Sequence, residues 1–368
     1  MASFNPSDPV SDAFRTAVST ELDEFLAARR TQVLEISPGL APVAELAEGF
    51  TAGGKRLRPA FCVWGYLAVT AVPADPRPLL RAAASLDLLH VSALVHDDVM
   101  DASDTRRGQP AAHRQFAALH AEQGLQGDAA DFGQAGAILL GDLLLVWSQQ
   151  LFTRCGLPDE VVSRGERVLE QMRTEVTAGQ FLDILAQARP SLDARLRPDE
   201  VMAQVRRVVE FKTARYTVVR PLQVGAALAG AAPSVLEPLA RYGSAVGRAF
   251  QFRDDILGVF GDAAVTGKPA GDDLREGKLT ALLAHALRLA GEAEARELAG
   301  MVSRSDLGEA EVDRARTIIV GSGALQAVED EIAAATAEAV SGLAAAPLRP
   351  EAKVALENLA RAAAERTS

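Results

Sequence analysis

A dense run of ionisable side chains, His96-Asp97-Asp98-Val99-Met100-Asp101, follows directly on a mostly apolar segment, 86–95. On a helix Asp97 and Asp101 share a face, Asp98 stands beside them in the same reactive set, and His90 and Ala93 lie beneath on the same stripe. Asp104 extends the acidic surface. Like charges at this spacing repel, so the arrangement favours a bound cation. Carboxylates with no paired His or Cys suit a hard ion. Magnesium takes one or two carboxylates and completes its octahedron with water and substrate phosphate. A second acidic patch, Phe250-Gln251-Phe252-Arg253-Asp254-Asp255-Ile256-Leu257-Gly258, ends another long helical segment, with Gln251 and Asp254 on one face. An isolated Asp pair is usually a solvated helix end. Two such patches, more than 150 residues apart, could instead face each other across a bundle and hold metals around one polyphosphate.

Basic residues are interleaved with these patches. In Gly53-Gly54-Lys55-Arg56-Leu57-Arg58-Pro59 the cations follow a flexible turn, and on a helix Lys55 and Arg58 would lie three apart on one side, able to grip a diphosphate. Arg106-Arg107-Gly108 follows the first acidic patch, where the planar fork of Arg suits phosphate oxygens. Lys212-Thr213 lies within a helix, whereas Thr266-Gly267-Lys268-Pro269 and Arg275-Glu276-Gly277-Lys278 lie on Gly-marked turns. Any one of these reads as an ordinary surface charge. Their alternation with both acidic patches is the signal.

These groups need a scaffold, and the composition describes one. The chain has 368 residues, 48% hydrophobic and 24% charged, enough to bury a substantial core. No linker-like stretch divides it, so a single domain over 1–368 is expected. A formal net charge of −11 argues against nucleic acid as a partner. The longest apolar stretch, 135–147, carries Asp142 and is too short to span a bilayer. Cys62 and Cys155 lie far apart beside apolar residues with no metal-type spacing, as reduced thiols of a cytoplasmic protein would. Few aromatics and abundant Ala, Leu, Glu and Arg point to an all-α fold. Helices are expected near 10–36, 54–71, 76–101, 134–155, 159–187, 198–230, 235–260, 278–290, 309–319, 323–342 and 349–366, with breaks marked by Pro and Gly. The Gly-, Asp- and Gln-rich segment 123–136 reads as a surface loop or insertion.

Taken together, Gly53–Pro59, His96–Asp101, Arg106-Arg107-Gly108, Gly179-Gln180-Phe181-Leu182-Asp183, Lys212-Thr213, Phe250–Asp255 and Gly271–Lys278 resemble the motifs of the trans-type polyprenyl synthetases, in family order over essentially the whole chain. The likeness is to farnesyl and geranylgeranyl diphosphate synthases, most of all the bacterial geranylgeranyl enzymes. It implies an isoprenoid-synthase bundle of about ten core helices around a central cavity, usually a homodimer. It also implies that Asp97, Asp101 and Asp254 hold Mg2+. Arg106, Lys212, Thr213, Gln251, Lys268 and Lys278 would contact the diphosphate of an allylic substrate (dimethylallyl, geranyl or farnesyl), and Lys55, Arg58, His90 and Arg107 would hold isopentenyl diphosphate. The implied reaction ionises the allylic diphosphate and joins it to isopentenyl diphosphate, with no protein nucleophile. One departure is Gly258, where the family commonly carries a third Asp.

In this family the two positions four and five residues before the first Asp floor the cavity, and aromatics there stop growth at farnesyl length. Here they are Ala93 and Ser92, small enough to admit another isoprene, with Leu89 and Leu86 as the next floor. Geranylgeranyl diphosphate is therefore the expected product, with farnesyl or longer chains as alternatives. A class I terpene cyclase fits less well, because the basic residues serve two diphosphates. A non-catalytic subunit of a heteromeric synthase fits less well because both acidic patches are intact.

Overall fold

A computed structural model describes residues 4–188, 198–261, 271–302, 304 and 306–365. Lys268 and its Gly-Lys turn lie outside the described residues. The described chain is nearly all α, as the composition predicts, with one small hairpin. Its contacts divide it into two compact units, Met1–Arg167 with Val224–Ala231, and Val168–Gln223 with Ala232–Ser368.

The first unit is built on α1 (Asp12–Ile36), α2 (Ala41–Thr51), α3 (Leu57–Leu67), α4 (Arg77–Met100), α5 (Ala112–Glu122) and α6 (Ala129–Thr153), and contains the first turns of α7 (Asp159–Gln187). Ser11 starts α1 by accepting the Phe14 N–H on its hydroxyl, and Asp128 starts α6 by accepting the Ala130 and Asp131 N–H groups. α4 is the core helix. Leu79, Ala82, Ala83, Leu86, Leu88 and Val95 on it are all buried, and α1, α3 and α6 pack around it. The α4–α6 crossing is close enough for the Ser92 hydroxyl to donate to the Gly141 carbonyl at 2.7 Å. Burial raises the thiol of Cys62 well above its ordinary value and also raises that of Cys155, and they form no disulfide.

α6 begins at Ala129, which corrects the expected loop over 123–136: only 123–128 is irregular. The polar composition misled because the first turns of α6 are largely solvent-facing, with Gly133 buried where they meet α5. α2 and α5 were also not expected. By length and composition α4 and α6 could each cross a membrane, but α4 is mostly buried inside its unit, and α6 packs one face onto α4 and α5.

The second unit contains the rest of α7, α8 (Pro198–Val208), a π-helix (Val209–Val219), the start of α9 (Arg220–Leu228), α10 (Pro233–Phe260), the short α11 (Asp272–Arg275), α12 (Ala281–Leu289), α13 (Glu292–Val302), α14 (Glu309–Gly321), α15 (Ala324–Ala345) and α16 (Pro350–Ala364). Its core gathers Val205, Val209, Phe252, Ile256, Leu282, Leu298, Ile318, Val328 and Ile332. The expected single helix over 198–230 is three segments. In the middle one the pairing runs five residues back, so the Arg220 N–H donates to the Arg215 carbonyl and Arg215 reaches the Glu210 carboxylate at 2.8 Å. α13 was not expected either.

Candidate active site

α4 carries the first acidic patch to its end. On this buried helix His90, Ala93, Leu94 and Asp97 remain partly exposed, a stripe recurring every three to four residues that continues to Asp101 at the C-cap. Asp98 points the other way. It is fully buried, and Arg106 from the hairpin donates to its Oδ1 through Nε at 2.9 Å and also through Nη2. Burial opposes the charge on Arg106, but the bond to Asp98 and the charges of Asp97 and Asp101 outweigh it and raise its pKa. Asp98 is therefore withdrawn beneath a partly exposed Arg106, and Asp97 and Asp101 are the carboxylates on the accessible side.

The hairpin pairs Thr105–Arg106 with Gln109–Pro110 through Arg107 and Gly108, both at positive φ (53° and 74°), the two-residue turn that suits strand twist. Arg107 folds back onto the basic turn. A Cβ placed on Gly54 would lie 3.6 Å from its Nη1. The turn itself passes through Gly53, Gly54 and Arg56 at φ 69°, 89° and 52°, and α3 begins only at Leu57. Lys55 thus precedes the helix, and the expected helical i,i+3 relation with Arg58 does not apply. His90 sits among these cations. Burial, followed by the charges of Arg58, Arg107 and Arg106, holds its imidazole well below the ordinary value, so it is neutral at physiological pH.

The second patch is on α10. Asp255 is turned inward like Asp98, accepting the Ala281 N–H at 3.1 Å and the Gln251 Nε2 at 2.9 Å. Burial pushes it up to about 7, against the Gln251 bond and with help from nearby Asp273. Gln251 in turn accepts the Thr213 hydroxyl at 2.6 Å, so Thr213, Gln251, Asp255 and the start of α12 form one chain of hydrogen bonds. Asp254 remains partly exposed. Lys212, on the π-helix, donates to Asp183 of α7 at 2.6 Å. The two elements approach so closely that a Cβ on Gly179 would lie 2.6 Å from the Lys212 nitrogen.

Gly258 is explained by its neighbour. A Cβ built there would fall 2.0 Å from Oδ2 of Asp273, so a carboxylate from α11 occupies the space where a side chain at 258 would begin. Lys278 is ion-paired to Glu276 and stands 3.7 Å from Asp273. Asp183, Asp273 and Glu276 were not singled out from the sequence as site residues, although the 179–183 and 271–278 runs that hold them were.

The donor set fits magnesium. Each patch presents partly exposed carboxylates, Asp97 and Asp101 in one and Asp254 in the other, with the adjacent Asp withdrawn into hydrogen bonds. Among the described residues no three acidic, His or Cys groups already cluster to hold a metal ion. Magnesium bound through one or two carboxylates, water and substrate phosphate does not require such a cluster.

An all-α fold with two carboxylate patches and separate cation groups defines a class of diphosphate-processing enzymes, and comparison with known proteins narrows it. Residues 42–319 match the Polyprenyl synthetase family, and the chain belongs to it. It is therefore a prenyltransferase of the short-chain isoprenyl diphosphate synthase type, from a family that is magnesium-dependent in general. A geranylgeranyl pyrophosphate synthase from Corynebacterium glutamicum, solved with isoprenyl diphosphate and magnesium, superposes with a TM-score of 0.90 at 37% identity, covering 96% of this chain and 99% of that one. The geranylfarnesyl diphosphate synthase of Aeropyrum pernix is 34% identical over 76% of this chain and 79% of its own. The geranylgeranyl diphosphate synthase of Methanosarcina mazei is 35% identical over 64% of each. These relatives are named for products of different length.

Proposed function

We propose that this chain condenses isopentenyl diphosphate with allylic diphosphates and releases geranylgeranyl diphosphate. The observation carrying the product length is the α4 stripe: Ala93, partly exposed between His90 and Asp97, presents only a methyl group. The C. glutamicum and M. mazei relatives, both named for geranylgeranyl products, support the reading.

Asp97, Asp101 and Asp254 would hold Mg2+, with Asp273 supplying a carboxylate where Gly258 carries none. The ion, when bound, neutralises charge on the departing diphosphate. Lys212, oriented by Asp183, and Arg106, Lys268 and Lys278 add positive charge for the allylic diphosphate, and the Thr213–Gln251 bond fixes two further polar groups for it. Lys55, Arg58, Arg107 and neutral His90 would orient isopentenyl diphosphate. The apolar side chains beneath Asp97 keep water from the allylic cation.

A homodimer is the supporting assembly. α6 exposes Ile138, Leu139, Leu145 and Val146, an apolar face that a second copy would cover. The reading is tested by supplying Mg2+, isopentenyl diphosphate and each of the dimethylallyl, geranyl and farnesyl primers, then identifying the product by chromatography. A geranylgeranyl product supports it. Hydrocarbon product would revive the cyclase, and turnover only with a partner chain the non-catalytic subunit.

A further inference from the structure

We propose that the buried pair Arg56–Asp87 is a positioning device for isopentenyl diphosphate, locking the turn that carries Lys55 and Arg58 onto the stretch of α4 that carries His90. The inference rests on the functional reading above.

Arg56 cannot itself be a diphosphate ligand. Its side chain is 4% exposed and that of Asp87 is 9% exposed. Its guanidinium is committed to Asp87 Oδ2 at 2.7 Å, the Ser19 hydroxyl at 2.9 Å and the Thr51 carbonyl at 3.0 Å. These partners come from α4, α1 and the end of α2, so one side chain joins three elements. Its backbone is in the left-handed region at φ 52°. A non-Gly residue holds that conformation only where its surroundings over-determine it.

The turn so fixed is the one that matters. Lys55 and Arg58 flank Arg56 in the chain, and Arg107 lies against Gly54 one residue further back. Asp87 is one turn before His90 on α4 and lies near enough to Arg58 and Arg107 to feel their charges. Positive groups crowd this turn, and Asp87 is a carboxylate bonded to one of them, Arg56. A buried ion pair adds little net stability over apolar packing of the same volume, so what this pair contributes is geometry.

The test uses the full chain, with isopentenyl diphosphate binding followed by calorimetry and steady-state rates measured for both substrates. Arg56→Met should raise the isopentenyl diphosphate Kd and KM about tenfold while kcat at saturation and the allylic KM stay within about twofold. Arg56→Lys, which keeps the charge and one bond to Asp87, should fall between. The double variant R56M/D87L buries no unpaired charge. It keeps the test available if Arg56→Met does not fold, and it should show the same isopentenyl diphosphate defect. A lower melting temperature with unchanged isopentenyl diphosphate Kd, or equal loss for both substrates, would overturn the proposal and leave a purely structural pair. Absence of turnover in the unaltered chain would instead count against the functional reading, while calorimetry still decides the role of the pair.

Discussion

Ala93 and Ser92 look equivalent in the sequence, and the structure separates them. Ala93 belongs to the partly exposed stripe with His90 and Asp97, whereas Ser92 is buried and its hydroxyl is bonded to the Gly141 carbonyl of α6. Replacing Ala93 with Phe adds a ring to the stripe one turn below the acidic patch. A turn rises about 5.4 Å, close to the length of one isoprene unit, so the growing chain should stop one unit earlier. The expected product of Ala93→Phe is farnesyl diphosphate, with the melting temperature nearly unchanged because the ring enters space that is already accessible. Ser92→Phe should behave differently. It removes a buried hydrogen bond, about 1 kcal/mol, and overpacks the α4–α6 contact, about 1–3 kcal/mol. The melting temperature should fall by several degrees, with product length less affected. Dephosphorylating the products and resolving the alcohols by reversed-phase chromatography, beside thermal melts of both variants, checks the pair. A geranylgeranyl product from Ala93→Phe, or a clean shift to farnesyl only with Ser92→Phe, would refute the reasoning.

Three further outcomes follow from the same geometry. Lys212→Met should lower kcat/KM for the allylic substrate about a hundredfold, and Asp183→Asn, which leaves the lysine without its ionic partner 2.6 Å away, should lower it less; equal effects would argue against Lys212 as the acting group. Asp273→Ala should raise the Mg2+ concentration needed for half-maximal rate, and adding Gly258→Asp, whose side chain enters the space that Asp273 vacates, should restore it. Failure of the second change to rescue the first would show that the two positions do not share one space. His90 is neutral in the fold while the unfolded chain takes up its proton below about pH 6.5, so stability is lost as pH falls through that range. His90→Gln should flatten the acid side of a melting-temperature profile, and an unchanged slope would exclude His90 as its source.

Much of the site was legible because charge after an apolar helix is a local signal. Asp97 and Asp101 share a face by spacing, the resemblance added Asp254 to them, and all three are partly exposed. What the sequence could not show was which of two adjacent carboxylates turns inward. Asp98 and Asp255 are withdrawn by Arg106 and by the Ala281 N–H, partners fixed by tertiary structure rather than spacing. Long periodic helices such as α1, α7 and α10 were read within two residues of their observed ends. α2 was not expected, although Pro42 in its first turn is a residue that suits a helix start. The π-helix has the same composition as an α-helix, and only its i,i+5 pairs reveal it. Gly258 read as a missing ligand, but its meaning depends on Asp273, fifteen residues later in the chain.

The proposed reaction joins two diphosphates and depends on magnesium. Incubating the purified chain with isopentenyl diphosphate and farnesyl diphosphate, with Mg2+ and then with excess chelator, tests it most directly. Geranylgeranyl diphosphate is expected in the first case and no product in the second. Product that persists without divalent metal, or farnesyl diphosphate consumed without isopentenyl diphosphate, would contradict it.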